Sequence, residues 1–352
     1  MPWAGRSWHC ALFSLVPFFT EHYHSPSSGP CERFPPRASE MLINLLPDFF
    51  ALLDSSDPVA AYHQYFAAHR RILDPYWLNY VIEPAGPHFQ EIVLRSLAAD
   101  RSDLRGMLER TDVVTLARAA ELRTQELLAA DVDVDVVLMV GVGAANAGEL
   151  VVNGRGIAFL ALEHFTGTPN PDTDGLGLDP ELLPLWLAHE YSHAVRYTSP
   201  TSRSEMKTAI ADDAGYYSYW DTGRHVSLRE HLVNEGVAVN VSRAVSPGHA
   251  AWEYFGYGRK QFSRIRELES SIRQAAEPDL DSKGLGLRLK YLSDGVSEIT
   301  RTVGRTVLPE RSGYYLGARM VENAIDQHGL DWVVRAHASE LETVAARAIA
   351  TA

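Results

Sequence analysis

Cysteine is nearly missing from this sequence: Cys10 and Cys31 are the two in 352 residues, and nothing after position 31 supplies a third. The body of the chain therefore needs neither disulfides nor a thiolate metal cluster, which suits a reducing, cytoplasmic setting. Long apolar runs are missing too. The longest, such as "VVLMVGVGAA" at 136–145, fall well short of the roughly 18 residues that span a bilayer, so no transmembrane helix is expected. Positive charge is in deficit: 32 Lys and Arg stand against 45 Asp and Glu, a net charge of −13, and no basic stripe gathers to neutralise phosphates. Nucleic acid is not an expected partner. What is present, 46% apolar and 22% charged residues, is the composition of a globular chain able to bury one large core or two modest ones.

Texture divides the chain into three. In residues 1–40, "ALFSLVPFF" resembles a short signal-peptide core, yet only Arg6 precedes it, and the stretch that follows is rich in Pro and Ser. This segment is expected to be disordered or an upstream extension of the reading frame. A cleaved signal, which would make the protein secreted, is the alternative. Residues 41–130 read as helical, from "MLINLLPDFFALL" through "DPVAAYHQYFAAHRRIL" to "SDLRGMLERTDVVTLARAAELRTQELLAAD", with apolar residues three and four apart. From 131 to 352 the pattern is mixed. "DVDVDVVLMVGV" reads as a strand, and "GELVV" and "GIAFLALEHF" as a hairpin around Asn153-Gly154, a pair suited to a tight two-residue turn. Helices follow from about 178. A small sheet among helices indicates an α+β fold.

The chemistry concentrates at "HEYSH", residues 189–193. Asp179-Pro180 offers a helix start, although Pro184 delays the regular helix until about that position. His189 and His193, four apart on a helix, then project from one face and can reach a single ion. Glu190 is offset by about 100° around the axis, which sets its carboxylate beside the ion, where it can take a proton from an activated water. Alone the pattern decides little, because H-E-x-x-H arises by accident in about one chain in thirty of this composition. Context is needed. "SLREHLVNEGVAVNVSRAVSPG" supplies it: Ser227 and Glu230 have the spacing of a capping box, Ser246-Pro247-Gly248 ends the pattern, and 228–245 is a helix. Glu235 lies in its middle among Val233, Val237, Ala238 and Val241, where an unpaired carboxylate is costly and coordination would satisfy it.

H-E-x-x-H on one helix followed by N-E-G-x-A on a second resembles the gluzincin metallopeptidases, the thermolysin and zinc-aminopeptidase group. The "HEYSHAVR" wording and the later "GYYLGARMVENAI" most resemble a bacterial family of predicted zinc-dependent proteases whose substrates are largely unassigned. The resemblance covers roughly residues 130–330 and implies a zincin-like catalytic domain. It makes His189, His193 and Glu235 the ligands of one zinc ion and Glu190 the general base. Two departures stand out. Val239 occupies the place where thermolysin-like enzymes put an Asp to orient a liganding imidazole. Residues 194–234 also separate His193 from Glu235, a far longer interval than the 18 residues of zinc aminopeptidases, which disfavours that activity.

The shorter interval lands on Asp212, a rival third ligand, while Asp212 or Asp213 could instead hold an imidazole from behind. His231, four before Glu235, is either a transition-state donor or a buried histidine with a partner of its own. Tyr314 and Tyr315 in "SGYYLG" are candidates for hydrogen-bonding an oxyanion, as tyrosines do in gluzincins, or else pack a core; spacing does not choose between them. Arg196 could bind a substrate carboxylate or form a structural ion pair. "GIAFLALEHF" could receive an extended peptide along a sheet edge or be a core strand. The expected activity is zinc-dependent hydrolysis of peptide bonds in a peptide or protein substrate. Its alternatives are a catalytically weak metal-binding or protein-interaction module, and a zinc hydrolase of a non-peptide amide or ester.

Overall fold

The computed structural model describes residues 42–341, so the expectations for residues 1–40 and both cysteines lie outside it. The chain runs β1 (Leu42–Asn44), α1 (Leu46–Leu53), α2 (Pro58–Ala68), α3 (Arg70–Tyr80), α4 (Phe89–Ala98), α5 (Ser102–Arg110) and α6 (Val113–Leu127). The strands β2 (Val134–Met139), β3 (Ala147–Val152) and β4 (Arg155–Ala161) follow. Next come α7 (Leu183–Thr198), α8 (Glu205–Asp212), α9 (Tyr219–His225), α10 (Leu228–Val245), α11 (Arg259–Glu267), α12 (Glu269–Ala276), α13 (Leu285–Leu292) and α14 (Glu298–Arg301). A small hairpin, β5 (Thr302–Val303) and β6 (Thr306–Val307), leads to α15 (Ser312–His328) and α16 (Leu330–Val333). The fold is α+β, mostly helical with a small mixed sheet, and no helix among the described residues is long and apolar enough to cross a membrane.

The sheet has the order β1-β2-β4-β3, parallel except for β3, which runs antiparallel to β4. Asn153 and Gly154 turn the hairpin with φ of 53° and 75°, the doubly positive geometry that Asn-Gly favours. Two expectations need correction. Leu42–Asn44 opens as a strand rather than a helix, because Leu42 pairs with Val136 across the sheet and the helix begins only at Leu46. β4 is interior, flanked by β2 and β3, so "GIAFLALEHF" is a core strand and offers no free edge. One hydrophobic core extends from Leu42 through Val134 to Leu341, so it crosses the change of texture at 130.

α7 is buried on every side, packed against β3 and β4, α6 and α10. It meets the sheet closely at Gly156, where a Cβ would lie 2.9 Å from that of Ala194. Asp179 caps a 3-10 turn at Pro180–Leu182, and the α-helix proper starts at Leu183, one residue before Pro184. α10 crosses α7 on one side and α15 on the other. Glycines make the second crossing tight: a Cβ on Gly236 would come within 2.2 Å of the Gly317 backbone. Ser227 caps α10 as expected, its Oγ accepting from the Glu230 N–H at 3.2 Å. Glu230 does not complete the box, because its carboxylate is bound to Arg196; Glu205 receives the Ser227 N–H instead.

Candidate metal centre

α7 and α10 bring three ligand-type atoms together. Oε2 of Glu235 lies 3.2 Å from Nε2 of His189 and 3.6 Å from Nε2 of His193. These residues form a cluster whose ligand atoms all fall within 4.8 Å of one another. A tetrahedral zinc with bonds near 2.1 Å sets its ligands about 3.4 Å apart, and two imidazoles with one carboxylate are a zinc-type donor set. The residues fit a zinc ion. Asp212 is exposed at the end of α8 and takes no part in the cluster.

Charge in the cluster is unevenly held. Burial presses His189 below its ordinary value, against the pull of Glu235. Burial acts on His193 the same way, but Glu235 and Glu149 outweigh it and push that imidazole up to about 9. Glu235 sits well below the usual carboxylate range, since the two histidines overcome its burial. Glu190 goes the other way: burial first, then the neighbouring Glu149, push it well above that range.

Glu149, on β3, is the residue that sequence reasoning missed. Its one signal was a lone carboxylate in an otherwise apolar strand. Its carboxylate accepts from Tyr80 at 3.0 Å and Tyr197 at 3.1 Å, and the Tyr197 hydroxyl accepts in turn from Asn234 Nδ2 at 2.8 Å. The Tyr197 ring also stacks on His193, with centroids 5.9 Å apart. Asn234 of the "NEG" stretch thereby braces the wall behind the second histidine. Nε2 of each histidine is turned to the site, so a ring made neutral to ligate an ion would carry its proton on Nδ1, and in both histidines Nδ1 is buried without a hydrogen-bond partner. The orienting role that Val239 cannot play is not taken up by Asp212 or Asp213.

The two tyrosines separate cleanly. Tyr314 lies against His189, ring centroids 6.4 Å apart and planes at 25°, and the Arg311 guanidinium sits over its ring. Tyr315 points away, donating to Glu269 at 3.0 Å and packing on Phe255 and Phe262. His231 has its own partners: Nε2 is 3.4 Å from the Gly223 carbonyl, and burial together with Arg288 presses it down to about 3. Arg196 is fully buried in a two-pronged pair with Glu230, at 3.0 and 2.8 Å, and its Nη1 donates to backbone carbonyls at Val334 and Ala336. That is a structural use.

β3 is the antiparallel edge of the sheet, and part of its outward side is already bonded. The Tyr80 hydroxyl accepts from the Glu149 N–H at 3.0 Å and lies 2.9 Å from its carbonyl oxygen, while the Tyr217 N–H donates to Val151 at 3.1 Å. The chain matches no protein-family model, no curated protein and no solved structure. The functional reading therefore rests on the site's own chemistry.

Proposed function

We propose that this chain is a single-zinc hydrolase of peptide bonds, built on a zincin-like variant of the α+β fold. The observation that carries the reading is convergence: His189, His193 and Glu235 come from two helices to one point, with a carboxylic acid, Glu190, buried beside them. A zinc ion held there supplies Lewis-acid polarisation of a carbonyl and acidifies a water. Glu190 accepts the proton of the attacking water and returns it to the leaving amine. Tyr314, whose ring lies beside that of His189, is placed to donate its O–H to the carbonyl oxygen as that atom gains charge. Burial and the neighbouring Glu149, itself held by Tyr80 and Tyr197, raise the proton affinity of Glu190, which makes its ionised carboxylate a strong base toward the water.

One observation favours the second reading, a metal-holding module with little turnover. The bonds of Tyr80 and Tyr217 to β3 occupy edge groups that an extended peptide would use. A fluorogenic peptide library separates the two. The hydrolase predicts cleavage that a chelator stops and that Glu190→Gln lowers by about 10²–10⁴ while zinc stays bound. A zinc-loaded native protein that cleaves no member supports the module.

A further inference from the structure

Arg311 lies beside this site and, among the described residues, forms no close ion pair with a carboxylate. It precedes α15 at φ 54°, in the left-handed region that a non-glycine residue seldom occupies. Its carbonyl accepts from the Tyr257 hydroxyl. Its guanidinium sits with Cζ 4.6 Å from the ring centre of Tyr314 and 5.9 Å from that of Tyr257, and Nη1 donates to the Gly256 carbonyl at 3.3 Å. These partners of the guanidinium are two π faces and a carbonyl, all uncharged. Asp294 acts on Arg311 through space. Arg196 is paired with Glu230 and Arg301 with Glu310, whereas Arg101 and Arg288, like Arg311, bond uncharged groups; of these three, Arg311 is the one set against the ring beside His189.

A partly buried guanidinium whose hydrogen-bond and ring partners are uncharged retains free donors, and its planar fork suits a carboxylate. Its position relates it to the metal centre. Laid end to end, the 4.6 Å step to Tyr314 and the 6.4 Å step to His189 place Cζ no more than 11 Å from the His189 ring centre. An extended peptide advances about 3.4 Å per residue, so a little over three residues cover that upper bound. Nη1 also lies 3.2 Å from where a Cβ on Gly256 would stand, beside Trp186 one turn before His189.

Resting on the hydrolytic reading above, we propose that Arg311 receives a carboxylate of the substrate, so that the centre selects peptides bearing one within about three residues of the scissile bond. That carboxylate belongs either to a free C-terminus or to an Asp or Glu side chain.

Binding, read apart from turnover, tests this. Zinc-loaded protein carrying Glu190→Gln is titrated with labelled peptides of one sequence in four forms: free C-terminus, C-terminal amide, amide with an internal Glu, and a free C-terminus moved ten residues away. At least tenfold tighter binding of a near carboxylate over the plain amide is expected, and the first and third peptides tell the two sources apart. Arg311→Gln should erase the preference and Arg311→Lys should keep part of it, both melting close to the parent. Equal affinity for all four forms, a preference that survives Arg311→Gln, or no binding at all overturns the proposal. Cleavage by the native protein is scored separately: preference without cleavage removes the hydrolytic reading alone, and cleavage without preference removes this inference alone.

Discussion

Tyr314 and Tyr315 are adjacent in the chain and opposite in use, because neighbouring helical residues point about 100° apart. Only Tyr314 reaches the His189–His193–Glu235 cluster, stacked near His189 with the Arg311 guanidinium over its ring. Tyr314→Phe should therefore lower kcat on the order of 10²-fold with KM little changed, the signature of a donor used in the transition state. Tyr315→Phe should leave kcat alone and cost about 1 kcal/mol of stability through the lost bond to Glu269. Steady-state kinetics and melting of the two variants check both. At this scale the sequence was legible where spacing encodes geometry: His189, Glu190 and His193 are read from their intervals on a helix. It was illegible where partners come from distant elements. Glu149 acquires its meaning from Tyr80 on α3 and Tyr197 on α7, and Arg311 from a left-handed backbone that no residue type announces.

Elements were legible when their ends carry chemistry. Asp179 with Pro180 marks the start of the helical run, Ser227 marks α10, and Asn153-Gly154 marks the hairpin. β1 escaped because three residues carry little periodicity, and its pairing with β2 lies far along the chain. The choice of Glu235 over Asp212 also belongs here, since α10 is a long buried helix lying on α7, whereas α8 ends in solvent. The crossing of α10 with α15 positions both Glu235 and Tyr314. A Cβ on Gly317 would stand 1.8 Å from the Leu232 carbonyl oxygen, so backbone must move to admit it. Gly317→Ala should destabilise the fold by about 1–3 kcal/mol, as overpacking does. It should also weaken metal binding by spreading α10 from α15. Denaturant unfolding and a zinc titration of the same variant read the two effects.

The whole molecule is tied together at the same point. Its core joins the N-terminal helices to the sheet and the later helices, and α7 runs through the middle with the cluster at its centre. An ion bound to His189, His193 and Glu235 links α7 to α10 and stabilises only the folded state. Free zinc at a hundredfold above its Kd should add about 2.7 kcal/mol, visible as a rise in Tm that Glu235→Ala abolishes. The measurement that tests the central claim most directly is the zinc content of the purified protein. One zinc per chain in the native protein, lost in Glu235→Ala and kept in Glu190→Gln, is the predicted result. Stoichiometric zinc retained in Glu235→Ala, or a native protein that takes up none, would contradict it.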